Sequence, residues 1–392
     1  MGRRVRPLSL VGACLVPLLS LVLAACGSPG LLLSQIKDLV NTQLGANKTV
    51  RAVALQADGK ILFGGDFTTY NGSAWEYLAR LDADGSIDPA FPNAATGPND
   101  TVHAITVLAD GKILIGGTFT LFDGTSRAGI AQLNADGSID AAFLVAGGGV
   151  NKTVYAICVQ ADGKILIGGD FTTWNSTARN YLARLYADGS LDPAFAPTLG
   201  TGAVVRAIAV QGDGKILLGL DVTPGIARLN ADGTADTAFN TNASAGGRSG
   251  LVDCIAVQSD GKIVVGGKNT NACARFKTDG SPDTTFDVQI AGNTGTVLTL
   301  AVQADGWIIV GGGFDKANGA PHRNIARLNA YGTTEPSFVG GTDNYIVGST
   351  YGQINSLAVQ ADGRIIIGGD FTLYNGTARG RIARIKADGS LE

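Results

Sequence analysis

Few residues of this chain belong to types that carry out chemistry unaided. There are two histidines, His103 and His322, and neither stands at a metal-ligand spacing from another donor. No Gly-x-Ser-x-Gly nucleophile elbow occurs, and no pair of carboxylates stands apart from a run of Asp-Gly dipeptides. Those dipeptides lack the dense Asp-x-Asp-x-Asp ladder of a calcium loop, so turn chemistry accounts for them. No catalytic residue, metal or cofactor is expected. Cys158, Cys254 and Cys273 fill slots where sister segments carry Ala, Thr, Ser, Leu or Ile, and read as small buried hydrophobes.

What remains is a choice between residues that repeat and residues that do not. Arg80, Arg184, Arg228, Arg275, Arg327 and Arg384 recur in one slot, with Gln132 in the same place. Such regularity points to a scaffold role, with each guanidinium bonded to carbonyls or to a neighbouring Asp. One slot has no consensus, with six residue types in seven copies: Arg51, His103, Tyr155, Arg206, Asp253, Leu298, Asn355. It is the first candidate for ligand contact. A second candidate combines Tyr70, Phe122, Trp174 and Tyr374 in one slot with Trp75, Arg127, Arg179, Arg323 and Arg379 in another. Aromatic and arginine pairs suit glycan or protein surfaces by stacking and forked hydrogen bonds. Packing of each loop onto its own support explains a repeating aromatic equally well.

These slots belong to a repeat. "ALQADGKILFGGDFT" near Ala54 returns six times, its first Asp-Gly aspartates being Asp58, Asp110, Asp162, Asp213, Asp260, Asp305 and Asp362, spaced 45 to 57 residues apart. In the third copy "TVYAICVQ", "KILIGGDFT", "NYLARLY" and "LDPAF" read as four strands. The tight turns "ADGK" and "ADGS" join the first to the second and the third to the fourth. No stretch between them has a helical period long enough for a crossover helix. Four short antiparallel strands at this period predict a propeller blade, so the fold class is all-β, a seven-bladed β-propeller with repeats starting near 50, 102, 154, 205, 252, 297 and 354. Antiparallel order puts both Asp-Gly turns on one face and the variable loops on the other. There Arg51, His103, Tyr155, Arg206, Asp253 and Asn355 should surround the channel mouth.

The "DGKI…GG-F", "IAR-L-ADGS" and "D-x-x-F" stretches resemble the delta-60 repeats of exported bacterial β-propeller proteins, over nearly all of Val50 to Glu392. The resemblance implies the architecture and brings no activity with it. Copies one to six finish on Phe91, Phe143, Phe195, Phe239, Phe286 and Phe338, while Glu392 takes the Asp position of copy seven. Leu39 stands 11 residues before Val50, as Phe91 stands 11 before Val102. The N-terminal segment from Ile36 is therefore expected to close the last blade. A helix over "LSQIKDLVNTQ" is the rival reading of that stretch.

Residues 1–25 form a leader: Arg3, Arg4 and Arg6, an apolar run, then Leu23-Ala24-Ala25-Cys26. Those last four residues resemble the lipobox of bacterial lipoproteins, which implies lipid on Cys26, a tether over 26–35 and a propeller over 36–392. Gly27 after the cysteine implies the outer membrane by the sorting rule of enteric bacteria. Without the leader's three arginines, 27 of the 30 basic residues face 33 acidic ones, and there is no basic stripe. Nucleic acid is therefore excluded as a partner. The expected protein is a monomeric envelope lipoprotein, bound to the membrane through Cys26, that acts as a non-catalytic scaffold for an envelope polysaccharide or an exported protein. The alternative is a carbohydrate-active enzyme, lyase or hydrolase, with its site at the channel mouth.

Overall fold

The computed structural model describes residues 45–91, 97–143, 148–245, 250–268, 272–343 and 352–392. The leader, Cys26, the tether and Leu39 lie outside the described residues.

Each repeat folds as one antiparallel blade. In the first, Val50–Leu55 pairs with Ile61–Gly65, which pairs with Leu78–Leu81. The Asp58-Gly59 turn between the first two strands places Gly59 at φ +85°, a conformation in which a side chain is strained. The Asp58 carboxylate accepts the Lys60 amide at 3.1 Å, the turn role expected of it. The outermost strand is reduced to a single bridge, Leu81 to Ile87, and the same bridge recurs in all seven blades, from Leu133–Ile139 to Ile385–Leu391.

The strands that open the repeats stand side by side around the axis and bond to one another. Thr106 Oγ1 donates to the Ile157 carbonyl at 3.3 Å, and the Val53 amide donates to Ser356 Oγ at 3.0 Å. The second bond joins blade one to blade seven. The double glycines make this crowding feasible. A Cβ added to the first glycine of each pair (Gly219 in the fourth blade) would come under 3.0 Å from the opening Val or Ile of the next blade. A Cβ on the second, as at Gly65, would strike the carbonyl just before the first strand of its own blade, here Thr49 O. Close backbone approach thus explains glycine inside a strand, where it otherwise weakens the sheet. The seam between blades seven and one follows the same rule: Gly368 abuts Val50 as Gly64 abuts Val102. The Ala46 amide donates to the Gly380 carbonyl at 3.0 Å, and Ala46 also bridges Tyr70, so the chain enters between the last blade and the first.

The recurrent arginines clamp neighbours together. Arg184 donates from Nε to Asp192 at 2.9 Å and from an NH to the Ala231 carbonyl of the next blade at 2.6 Å, beneath the ring of Phe195. Arg80, Arg228 and Arg275 do the same toward Ala135, Thr278 and Ala330, and Arg384 crosses the seam to Ala83. Arg327 departs from the pattern. It turns to Gln303, Glu335 and Asp305 within its own blade, where Trp307 stands in the lysine slot.

Two elements were not expected from the sequence. Thr237–Ala245 is a helix in place of the extended end of blade four. Asp236 caps it, its carboxylate accepting the Phe239 amide at 3.2 Å. The loops between second and third strands carry their own two-residue ribbons, such as Thr69–Tyr70 with Ser73–Ala74.

Candidate functional site

The slot without a consensus has a structural identity. In each blade the ladder between the first two strands slips by one residue: Val50 pairs with Gly65 but Ala52 with Gly64, leaving Arg51 over. The same slip isolates His103, Tyr155, Arg206, Asp253, Leu298 and Asn355. Each is the extra residue of a β-bulge, a device that releases a side chain from the ladder and re-aims it. The bulge sits where the strand starts, at the end opposite the Asp-Gly turns. Seven bulges therefore encircle the axis on the variable face.

Over blades one to five these side chains act on one another, by ring contact at His103, Tyr155 and Arg206 and by charge at Arg51 and Asp253. Arg51 holds Asp66 with two hydrogen bonds of 2.7 Å, and Thr101 Oγ1 donates to the same carboxylate at 3.0 Å. Burial alone would raise the Asp66 carboxyl, but the bonds and charge of Arg51 outweigh it and hold it low. The His103 and Tyr155 rings meet edge to face, centroids 5.1 Å apart. The Arg206 guanidinium lies over Tyr155 at 4.3 Å, and one of its nitrogens is 3.7 Å from Asp221. Burial, then the positive charges of Arg51 and Arg206 against the opposing pull of Asp66, lower the His103 imidazole to about 4, so it is neutral at pH 7. Burial raises the Asp253 carboxyl, with Arg206 pulling the other way. Arg206 Nε and Asp221 Oδ1 are buried without a partner among the described residues. Asn355 closes the ring from the far side, its amide donating to the Val50 carbonyl at 3.3 Å.

Sequence reasoning missed the companions of these residues. Asp66, Asp170, Asp221 and Asp370 follow the double-glycine position and buttress the bulges. Asp170 accepts the Thr153 amide at 2.8 Å, and Asp370 accepts that of Gln353. The recurring Gly-Gly-Asp triplet was the available signal. Thr118 and Lys268 hold the position in blades two and five.

The second candidate set divides into buried aromatics and arginines of differing exposure. Tyr70, Trp75, Trp174 and Tyr374 are buried, between 0% and 8% exposed. They pack their loops onto the blades, and the Tyr374 hydroxyl is spent on the Gly389 carbonyl at 2.6 Å. Arg179 and Arg379 are half-buried, and each donates to the backbone carbonyl just before it at 2.8 Å. The aromatic members are frame rather than binding surface. Cys273 is buried, and Cys158 and Cys254 are half-buried in inner strands. Among the described residues no group of three or more His, Cys, Asp or Glu could hold a metal.

Comparison with known proteins agrees with this architecture. Residues 56–91, 108–143, 160–195, 211–239, 258–286, 303–338 and 360–392 match the family model described as "Domain of unknown function (DUF5122) beta-propeller", more than half of the chain in all. No curated protein sequence matches. Among solved structures, the WD40 β-propeller domain of Doa1 is similar at TM-score 0.56 and 15% identity, covering 88% of this chain and 96% of that one. Virginiamycin B lyase from Staphylococcus aureus is similar at 0.54 and 13%, covering 84% and 95%. A streptogramin B lyase is similar at 0.52 and 16%, covering 82% and 90%. Identities this low speak for the fold alone.

Proposed function

We propose a binding role, proceeding from the fact that the chain belongs to the DUF5122 β-propeller family. The protein is a non-catalytic scaffold, held in the bacterial cell envelope by lipid on Cys26 at the outer membrane or cell surface. Its ring of bulge residues takes a glycan or an exported protein partner. One observation carries this reading. A bulge recurs in all seven blades, so the frame maintains it, yet six residue types fill it and arginine alone occurs twice. A position that the backbone repeats and the side chain does not is free to specialise. Arg51, His103, Tyr155, Arg206 and Asp253 there offer aromatic edges, forked donors and a carboxylate, the groups that recognise hydroxyl-rich or mixed polar surfaces.

The test is a glycan array probed with the full chain, run beside capture from envelope extract, with reducing ends assayed throughout. Retention without new reducing ends supports a scaffold. New reducing ends would replace it with the carbohydrate-active reading, a lyase or hydrolase with its site at the channel mouth. For the anchor, Cys26→Ser should release the protein from membranes, and continued membrane association would contradict lipidation.

A further inference from the structure

We propose that blade six carries a second binding site, for an uncharged sugar, on the face of the Asp-Gly turns opposite the bulges, with Trp307 and Tyr331 as its stacking groups. That face is otherwise uniform. The residue after the first Asp-Gly is a cation in all six other blades, from Lys60 to Arg364. The second Asp-Gly begins with aspartate in the same six, from Asp84 to Asp388. Blade six alone replaces both, the cation by Trp307 and the aspartate by Tyr331. Two opposite charges are thus exchanged for two aromatic rings.

The rings flank one turn. In blade one Lys60 Nζ donates to Asp82 at 2.7 Å, so a side chain in the Trp307 slot reaches the first residue of the second turn. Asn329 holds the Asp82 slot in blade six, and its carboxamide oxygen accepts the Tyr331 amide at 2.9 Å. Tyr331 is 68% exposed, more than any other large hydrophobic side chain among the described residues. Trp307 is half-buried and backed by the Arg327 guanidinium, 4.7 Å from its ring centroid.

The frame forgoes a clamp to make this arrangement. Arg80, Arg184, Arg228, Arg275 and Arg384 each donate to a carbonyl of the next blade. Arg327 turns instead to Gln303 at 2.6 Å, Glu335 at 2.7 Å and Asp305 at 2.6 Å, under the Trp307 ring. An interface bond lost where surface aromatics are gained marks a place shaped for something other than stability. The chemistry then selects the class of ligand. Tryptophan and tyrosine offer flat apolar faces with a polar edge, which suit the C–H face of a pyranose. Arg327 fixes the carboxylates of Asp305 and Glu335, whose side chains are 52% and 22% exposed and keep lone pairs for sugar hydroxyls. Its charge goes to those two carboxylates and is not offered to an anionic ligand.

The site carries its own reporter. The other two tryptophans, Trp75 and Trp174, are only 5% and 2% exposed, so a quencher in solution reads Trp307. The test follows acrylamide quenching of the full chain titrated with cellohexaose, maltohexaose and chitohexaose, at least one of which should shield Trp307. Tyr331→Asp restores the residue of six sister blades, should fold, and should weaken that shielding about tenfold. Trp307→Lys, a sister residue too, should abolish the heat of binding in calorimetry. Shielding by none of the three sugars would overturn the proposal, as would equal affinity in Tyr331→Asp. Shielding lost in Tyr155→Ala but kept in Tyr331→Asp would place the sugar at the bulges and overturn it as well. Shielding by envelope proteins alone would make the patch a protein surface and rule out the sugar.

Discussion

Val50 Cγ1 lies where a side chain on Gly368 would have to be: a Cβ added to that glycine would come 2.6 Å from it. Residues 318 positions apart in the sequence thus meet as closely as Gly64 and Val102 do within one repeat step. A ring rather than an open array follows, along with two unlike faces and an axis with a mouth.

The arginine clamps should dominate the stability of the interfaces between blades. Replacing Arg184 by Met strands the buried Asp192 and the Ala231 carbonyl, and should cost about 3–5 kcal/mol in denaturant unfolding. Arg184→Lys should recover little, because an ammonium cannot serve the carboxylate and the carbonyl across the blade in one forked geometry. Full recovery by Lys would show that only the charge matters.

Acid should weaken the same interfaces. Burial alone would raise Asp236, but bonds from Lys215, the Phe239 amide and Arg228 outweigh it and bring it down to about 2. Asp283 reaches about 2 against the same burial cost, through Thr285, Arg275 and Lys262. Both folded values lie below an unfolded value near 3.8, so their contribution is complete above that pH and is lost as pH falls toward 2. Unfolding free energy followed from pH 5 to 2 should decline, and Asp236→Asn should flatten part of that decline.

His103 gives a second pH window. Its folded value of about 4 lies below the unfolded 6.5, so protons bind the unfolded chain better, and stability is lost as pH drops from 6.5 toward 4. The groups that set the shift besides burial are Arg51, Asp66, Arg206 and Asp100. His103→Gln should remove part of this slope. His322, also lowered by burial, should supply a further part.

Binding and stability should separate at the bulges. The slot accepts six different residue types in seven blades, so Tyr155→Ala should move unfolding free energy by no more than about 1 kcal/mol. It removes the ring shared by His103 and Arg206, and retention of an array ligand should fall at least tenfold. Equal retention by the variant would place the ligand elsewhere.

Much of the fold was legible because its signals are local. Asp-Gly at fixed intervals dictates turns, and the double glycines mark where blades crowd. The arginines, read as structural from recurrence alone, bond to the outer aspartates and to carbonyls as expected. Other features depend on tertiary context. In "DTAFNTNASA" the capping Asp236 holds a slot that Asp88, Asp140, Asp192 and Asp283 also hold without a helix following, and Thr and Asn are indifferent helix formers. Tyr70 and Trp174 lie in polar loops and suggest surface, but burial against the blade decides their place. The bulge itself is invisible in sequence. Only its consequence, a slot without a consensus, can be read there.

The closed ring is tested most directly by putting one side chain at two equivalent glycines. Gly168→Val collides with Val205 inside the array, and Gly368→Val collides with Val50 across the seam. Both variants should lose a similar amount of unfolding free energy, about 1–3 kcal/mol or more, through overpacking. A Gly368→Val protein as stable as the native chain, beside a damaged Gly168→Val, would mean that blades seven and one do not touch.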